Sequence, residues 1–238
     1  MPMQVEPTAL RLPKLDARLS AIASLVRPGV RCADIGTDHG HLIAWLAASG
    51  RILSGFACDI NRKPLDKAAC SLSEYGVSDR VKLILCDGLS GLHPGEVDDI
   101  VIAGMGGDLI WEILSTQSWT RDPALRFLLQ PMTKTERLRR SLWENGFEIL
   151  REEPAEAGGF PYTVLQTAYT GKVRHPSQIE AYTGLLWQDS RPAAINYLEK
   201  VMRQVREKVE GLSASTQNRE EYMSYRTLLT ELESRCKK

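Results

Sequence analysis

The sequence predicts an α/β fold: an open, doubly wound parallel sheet that ends in an antiparallel β-hairpin and leads into a helical hairpin. Three observations support it. Apolar runs of strand length alternate five times with helical patterns, and continuous apolar strands are what a parallel sheet covered on both faces requires. The last two strand-like runs, FEILREEP and YTVLQTAYT, are separated only by AEAGGFP, too short for a crossover helix, so they pair antiparallel. From about Lys172 the strands stop, and apolar residues recur at alternating spacings of three and four, as in helices that pair through a narrow seam.

The elements follow in order. Leu15, Leu19, Ile22 and Val26 share one helical face, and Pro28-Gly29 ends that lead-in helix. RCADIG (31–36) is a short buried strand. A glycine turn passes into the helix HLIAWLAAS (41–49), where Gly40 lets the helix pack closely on the sheet. LSGFACDI (53–60) is the second strand, and residues 64–75 form a helix closed by Gly76. VKLILCDG and DDIVIAGM are the third and fourth strands, and Gly106-Gly107 opens a helix through Ile110, Ile113 and Leu114. RFLLQP (126–131) is the fifth strand, followed by a helix over 133–144. In the tail, one stripe is Ile195, Leu198, Met202, Val205, Val209 and Leu212. The other is Tyr222, Tyr225, Leu229, Leu232 and Cys236, with a turn over 211–218. Each stripe is about 25 Å long and buries itself only against another, so the helices pair antiparallel. The expected domains are 1–171, the sheet, and 172–238, the coiled-coil-like helical hairpin.

Composition sets outer limits. With 43% hydrophobic and 25% charged residues among 238, the chain is neither disordered nor of low complexity. No apolar run reaches the ~18 residues of a membrane span, and MPMQVEPTALRLP lacks the basic start and apolar core of a secretory leader. Cys32, Cys58, Cys70, Cys86 and Cys236 form no C-x-x-C pair and have no histidine cluster beside them, so no metal is expected. Cys32, Cys58 and Cys86 lie in strand-like runs as small hydrophobes, and the odd count fits reduced thiols in the cytoplasm. Thirty basic and thirty acidic side chains cancel, so any nucleic-acid surface must be local.

In an open parallel sheet, ligands bind beyond the carboxyl ends of the strands. Four such ends here carry polar or glycine groups: Asp34-Ile-Gly36-Thr-Asp38-His39-Gly40, Asp59-Ile60-Asn61, Asp87-Gly88, and Ala103-Gly104-Met105-Gly106-Gly107. The first is not a dinucleotide fingerprint, because Asp38 stands at the second glycine position and would repel a pyrophosphate at the same backbone amides. An NAD enzyme is therefore disfavoured. Asp59 can accept from both ribose hydroxyls, and Asp87 from an exocyclic amine such as adenine N6. A nucleoside without phosphate, with Asp34 and Asp38 near a cationic end, describes S-adenosylmethionine. The bland alternative for each acid is a helix cap or a solvated loop.

The runs DIGTDHGHL, GFACDIN, CDGL, IAGMGGDLI and LLQP, together with the helical tail, resemble the bacterial tRNA adenine-N1 methyltransferases of the TrmK type. The resemblance spans nearly the whole chain, and DIG-x-DH and IAGMGG are its most specific parts. It implies a Rossmann-like class I methyltransferase sheet with a coiled-coil appendage, S-adenosylmethionine as cofactor, and N1 of adenine 22 in tRNA as acceptor. On this resemblance Asp34, Gly36, Asp59, Ile60, Asp87, Gly88, Ala103, Gly104 and Met105 bind the cofactor. The family often has Glu where this chain has Asp59, and Asn where it has Met132.

Methyl transfer mainly needs alignment of nucleophile, carbon and sulfur. N1 of adenine has a lone pair, so a base is not obligatory, but the product is cationic, and Asp38 and His39 are the candidate catalytic residues for stabilising it or taking a proton from N6. Basic residues gather at 11–31, at 121–140 and along 200–206. Lys134, Arg137, Lys200, Arg203 and Arg206 are the candidate tRNA contacts; the plain alternative for each run is a solvated face. The expected protein is a cytoplasmic monomer, with weak dimerisation through the tail left open. Two other readings compete: a methyltransferase with another RNA, protein or small-molecule acceptor, and a non-catalytic RNA-binding protein of the same fold.

Overall fold

The computed structural model describes residues 11–213 and 218–236, without the side chains of the last two. It divides into two compact units, Met1–Val101 and Ile102–Lys238; strand β4 (Asp99–Gly106) runs across the division.

The first unit contains α1 (Ala17–Leu25), β1 (Val30–Ile35), α2 (His41–Ala48), β2 (Ile52–Asp59), α3 (Arg62–Glu74) and β3 (Val81–Leu85). Asp16 starts α1 by accepting from the Leu19 N–H at 2.9 Å, a side-chain N-cap. The strands are parallel, and Ile35, Cys58 and Ile84 lie level across β1, β2 and β3. That register brings the three polar strand ends into line. Beyond β1 the chain folds over its neighbour, with the Gly36 and Thr37 N–H groups both donating to Cys58 O at 2.8 and 3.1 Å. Gly40 has φ +66°, and a Cβ there would meet Ala68 Cβ at 2.8 Å. Its smallness therefore serves the approach of α3, where the sequence suggested the sheet.

The second unit contains α4 (Gly107–Ser115), a 3₁₀ turn (Ser118–Arg121), β5 (Arg126–Thr133), α5 (Thr135–Glu144), β6 (Phe147–Ala157) and β7 (Phe160–Tyr169). The strand order of the sheet is β3-β2-β1-β4-β5-β7-β6. The expected hairpin is present, but its strands extend through most of AEAGGFP. Ala157 faces Phe160, leaving Gly158-Gly159 as the turn, both at positive φ, the two-residue geometry that suits strand twist. β7 pairs antiparallel with β5 as well.

The tail adds α6 (Gln178–Thr183), a second 3₁₀ turn (Gly184–Gln188), α7 (Pro192–Ser213) and α8 (Arg219–Cys236). Its core joins Ile179, Leu186, Ala194, Tyr197, Val201, Val205, Leu228 and Leu232. Two expectations need correction. Ile195 is 45% exposed, and the buried stripe of α7 begins at Ala194 and Tyr197 instead. In α8 Leu228 is buried where Leu229 was expected to anchor the seam. The cause is a segment the sequence did not reveal: α6 and its 3₁₀ turn, with β6 and β7, also pack on α7. A one-residue shift rotates the buried face by about 100° toward these extra neighbours. The expected turn at 211–218 falls largely on 214–217, outside the described residues, as do residues 1–10 of the amino-terminal stretch and the Cys236 side chain.

A third correction concerns Arg139. It was counted among the basic residues of 121–140, yet its side chain has no exposed surface. It forms an ion pair with Glu152 at 2.8 Å and donates to Ala181 O and Tyr182 O at 2.9 Å and to Tyr197 Oη at 3.2 Å. The other Glu152 oxygen accepts from the Leu185 N–H at 2.5 Å. One buried pair thus ties α5, β6, α6, the following 3₁₀ turn and α7 together. Gly184 makes room for it, since a Cβ there would lie 2.1 Å from Glu152 Oε2.

Candidate functional site

In the first unit the predicted residues gather at the strand tips. Asp34 is only 7% exposed. Desolvation pushes its carboxyl up to about 6, and the charge of Asp59 pushes the same way. The Thr37 hydroxyl pulls in the opposite direction, but it falls short of a well-formed hydrogen bond and is itself buried without a partner. A buried acid and a buried hydroxyl at one tip, with no ion pair to the acid among the described residues, are costly unless a ligand completes them.

Asp59 ends β2 half-buried, with Oδ1 accepting from the Asn61 N–H at 2.7 Å; this holds the carboxylate at the start of α3 and leaves Oδ2 for a ligand. Ile60 beside it is 61% exposed, an apolar surface of the kind a planar base covers. Asp87 is exposed beyond β3, and Gly88 follows at φ +53°.

Asp38 and His39 form a surface pair. His39 Nδ1 lies 2.8 Å from Asp38 Oδ2, and Lys67 Nζ is 3.7 Å from the other oxygen. Asp38 does not cap α2: the N-cap is Gly40, with no side-chain cap bond. The capping alternative is therefore removed. Asp38 is 72% exposed, open to a large acceptor.

In the second unit, the last part of β4 carries Ala103, Gly104 and Met105 and ends at Gly106. Gly104 has φ +77°, which L side chains rarely adopt. Its N–H donates to Gln130 Oε1 at 3.2 Å. Gln130 lies in the LLQP run, and nothing in a single chain distinguishes its role from that of any buried amide. Gly107 is needed for close approach: a Cβ there would stand 2.4 Å from Lys134 O. Lys134 itself sits at φ +56°, the single non-glycine residue at positive φ among the described residues.

The basic candidates do not all present open charge. Lys134 and Arg137 share Asp108, at 2.7 and 3.0 Å. Lys200 donates to Pro161 O at 2.8 Å and lies over the Tyr162 ring. Arg206 pairs with Glu233 at 2.7 Å, while Arg203 is exposed. Lys134 and Lys200 nevertheless line one cavity of about 40 Å³ with Met132, Tyr182 and Tyr197. In the amino-terminal cluster, Arg27 pairs with buried Asp99 and Arg31 with Asp98.

A methyltransferase domain family matches residues 15–165 of this chain. The chain belongs to that family. Among its relatives, the tRNA (adenine(22)-N(1))-methyltransferase of Bacillus subtilis is 31% identical over 152 residues, 64% of each protein; the match thus spans a little under two thirds of that relative. A Mycoplasma pneumoniae protein described as a candidate tRNA methyltransferase is 32% identical over 192 residues, 78% of this chain and 83% of its own length. Among solved structures, Streptococcus pneumoniae Sp1610 in complex with S-adenosyl-L-methionine superposes with a TM-score of 0.77 at 27% identity, covering 91% of this chain and 100% of that one. The resemblance to TrmK-type enzymes is borne out by these matches. No helix of the methyltransferase is long and apolar enough to cross a membrane, and no metal-binding cluster occurs, both among the described residues.

Proposed function

We propose that this methyltransferase uses S-adenosylmethionine to methylate N1 of adenine at position 22 of tRNA. The observation that carries the reading is that three adjacent parallel strands each end in an acid, Asp34, Asp59 and Asp87, with Asp34 level with Ala57 and Asp59 level with Leu85, so that each acid stands two residues further along than the last. The relatives' activities point the same way. The buried, unpartnered Thr37 hydroxyl beside Asp34 fits a ligand that brings its own donors.

When bound, the cofactor supplies a methyl group already activated by a positive sulfur. The chain supplies the rest. Asp59 holds the ribose hydroxyls, Asp87 accepts from the adenine amine, and Ile60 covers the base. Asp34, deprotonated, faces the cationic end. Gly36 and Gly88 keep the backbone out of the way, and the strand end at Ala103, Gly104 and Met105 offers bare backbone groups. Asp38, steadied by His39, stabilises positive charge as it develops on the acceptor adenine or takes the N6 proton. Position 22 lies in a folded arm, so unstacking its base costs about a few kcal/mol, offset by phosphate contacts from Lys134, Arg137, Lys200, Arg203 and Arg206. The functional division falls near residue 171, a cofactor-binding sheet before it and a tRNA-reaching helical hairpin after it. The protein acts as a monomer in the cytoplasm, where its tRNA is.

Methyl transfer from labelled cofactor to bulk tRNA lacking the modification, followed by nucleoside analysis, tests this. 1-Methyladenosine at position 22 is expected. Cofactor binding without incorporation into tRNA would overturn the acceptor.

A further inference from the structure

The turn between β6 and β7 carries an exposed aromatic that the chemistry above leaves unused. Phe160 is 63% exposed, whereas the other three phenylalanines of the chain are buried or half-buried. β5 and β6 both run antiparallel to β7, so they share a direction, and the turn stands at the edge where β5 ends. The ends of β4 and β5 adjoin there, since a Cβ on Gly106 would lie 3.4 Å from Thr133 Oγ1. Phe160 therefore stands on the edge that carries Gly104 and Met105, two to three strand spacings from them, roughly 10–15 Å.

A single exposed apolar side chain needs no explanation, but Phe160 is neither isolated nor on a loose loop. Asn196 Nδ2 donates to Glu156 Oε2 at 3.0 Å and Lys200 Nζ to Pro161 O at 2.8 Å, so α7 braces both arms of the turn. Tyr162, two residues on, projects from the same side of β7 as Phe160, and the Lys200 ammonium lies 5.1 Å from the centre of its ring. Lys200 also lines the cavity shared with Lys134 and Met132, and Met132 is 37% exposed. Aromatic rings, cations and a thioether thus follow one another along this edge.

The charge left open here is positive. Neither Lys200 nor Arg203 forms an ion pair among the described residues, whereas the acids of the hairpin are engaged, Glu153 with Arg191 and Glu156 with Asn196. Burial, and after it the charge of Arg203, lowers the pKa of Lys200, a cost that an anion at this point removes. Exposed rings beside open cations suit single-stranded nucleic acid: the ring takes the face of a base and the cation a phosphate. A base that has left its stack offers such a face, and phosphate contacts alone do not restore the stacking it has lost. The strand spacing puts a neighbour of the acceptor at Phe160 rather than the acceptor itself.

We infer that the β6–β7 turn is an RNA-contacting surface, on which Phe160 stacks against an unstacked base neighbouring the acceptor adenine while Lys200 and Arg203 hold the adjoining phosphates. That the RNA is tRNA rests on the function proposed above.

The test is binding of a short single-stranded oligoadenylate and of unmodified tRNA, read by fluorescence anisotropy for the full chain and its variants at this exposed position. Phe160→Ala should weaken both about tenfold, with the salt dependence and S-adenosylmethionine binding unchanged. Phe160→Trp should bind as the wild type does. Phe160→Leu should behave like Phe160→Ala, because an aliphatic chain covers area without stacking. Unchanged binding in Phe160→Ala, or full binding in Phe160→Leu, would overturn the inference. So would a wild type that dimerises in sedimentation and a Phe160→Ala variant that does not, for then a second copy covers the turn. Phe160-dependent binding of both RNAs without methyl transfer to tRNA would sustain the surface and instead overturn the acceptor proposed above.

Discussion

Asp34 and Glu152 are both buried acids, one in each unit, and their surroundings are opposites. Glu152 has everything a buried carboxylate needs: the Arg139 guanidinium on one oxygen and the Leu185 N–H on the other. Asp34 forms no ion pair among the described residues, and its carboxyl is raised to about 6. A completed charge holds a fold together, whereas an uncompleted one is a standing cost that selection tolerates where a ligand completes it. The contrast separates a structural acid from a binding acid without reference to any relative.

The largest expected effect comes from breaking the completed pair. Arg139→Ala leaves Glu152 buried and unpaired and should destabilise the protein by about 3–5 kcal/mol, read by denaturant unfolding. Replacing both partners, Arg139→Met with Glu152→Leu, should recover most of that loss, because removing a whole buried pair is often close to neutral. A double variant as unstable as Arg139→Ala would mean that the hydrogen bonds to Ala181, Tyr182 and Tyr197, rather than the charge pair, hold the tail.

The uncompleted acid should respond in the opposite direction. Asp34 binds its proton more tightly folded than unfolded, so its contribution to stability falls as pH rises from about 4 to about 6 and stays low above that. Asp34→Asn should therefore raise the stability of the ligand-free protein at pH 7 by on the order of 2 kcal/mol, while weakening cofactor affinity at least about tenfold. Lower stability in that variant at pH 7 would show that the carboxylate is already satisfied.

Intermediate effects sharpen the roles of the neighbours. Asp38→Asn should lower kcat by about tenfold to a hundredfold with cofactor Kd unchanged; unchanged turnover removes Asp38 from the chemistry. The smallest effect is expected of the tail surface. Charge reversal at Arg203 and Arg206 should weaken tRNA binding by about tenfold, reduce its salt dependence, and leave cofactor binding intact. Because Arg206 already pairs with Glu233, most of the change should come from Arg203; equal contributions would show that the Glu233 contact opens when tRNA binds.

The same contrast explains what could be read from the sequence. Strands, their alternation with helices and the terminal hairpin were legible because apolar periodicity is set locally. The tip acids were legible because a parallel sheet puts every strand end on one edge. Arg139 was not: a guanidinium buried against a residue 13 positions away looks in sequence like its half-exposed neighbour Arg140. Leu228 was misassigned to Leu229 because the short helix α6, carrying few apolar residues, supplied a packing surface that no periodicity announced. Gln130 and Thr37 were missed as support for the site, since their importance lies in which polar atoms they meet, a property of the fold.

The most direct measurement is proton release on cofactor binding, from calorimetry of S-adenosylmethionine in buffers of different ionisation enthalpy at pH 6. With Asp34 half-protonated there before binding and deprotonated beside a cation afterwards, the account predicts release of about half a proton, absent in Asp34→Asn. Binding with no proton released, or with the same release in Asp34→Asn, would contradict it.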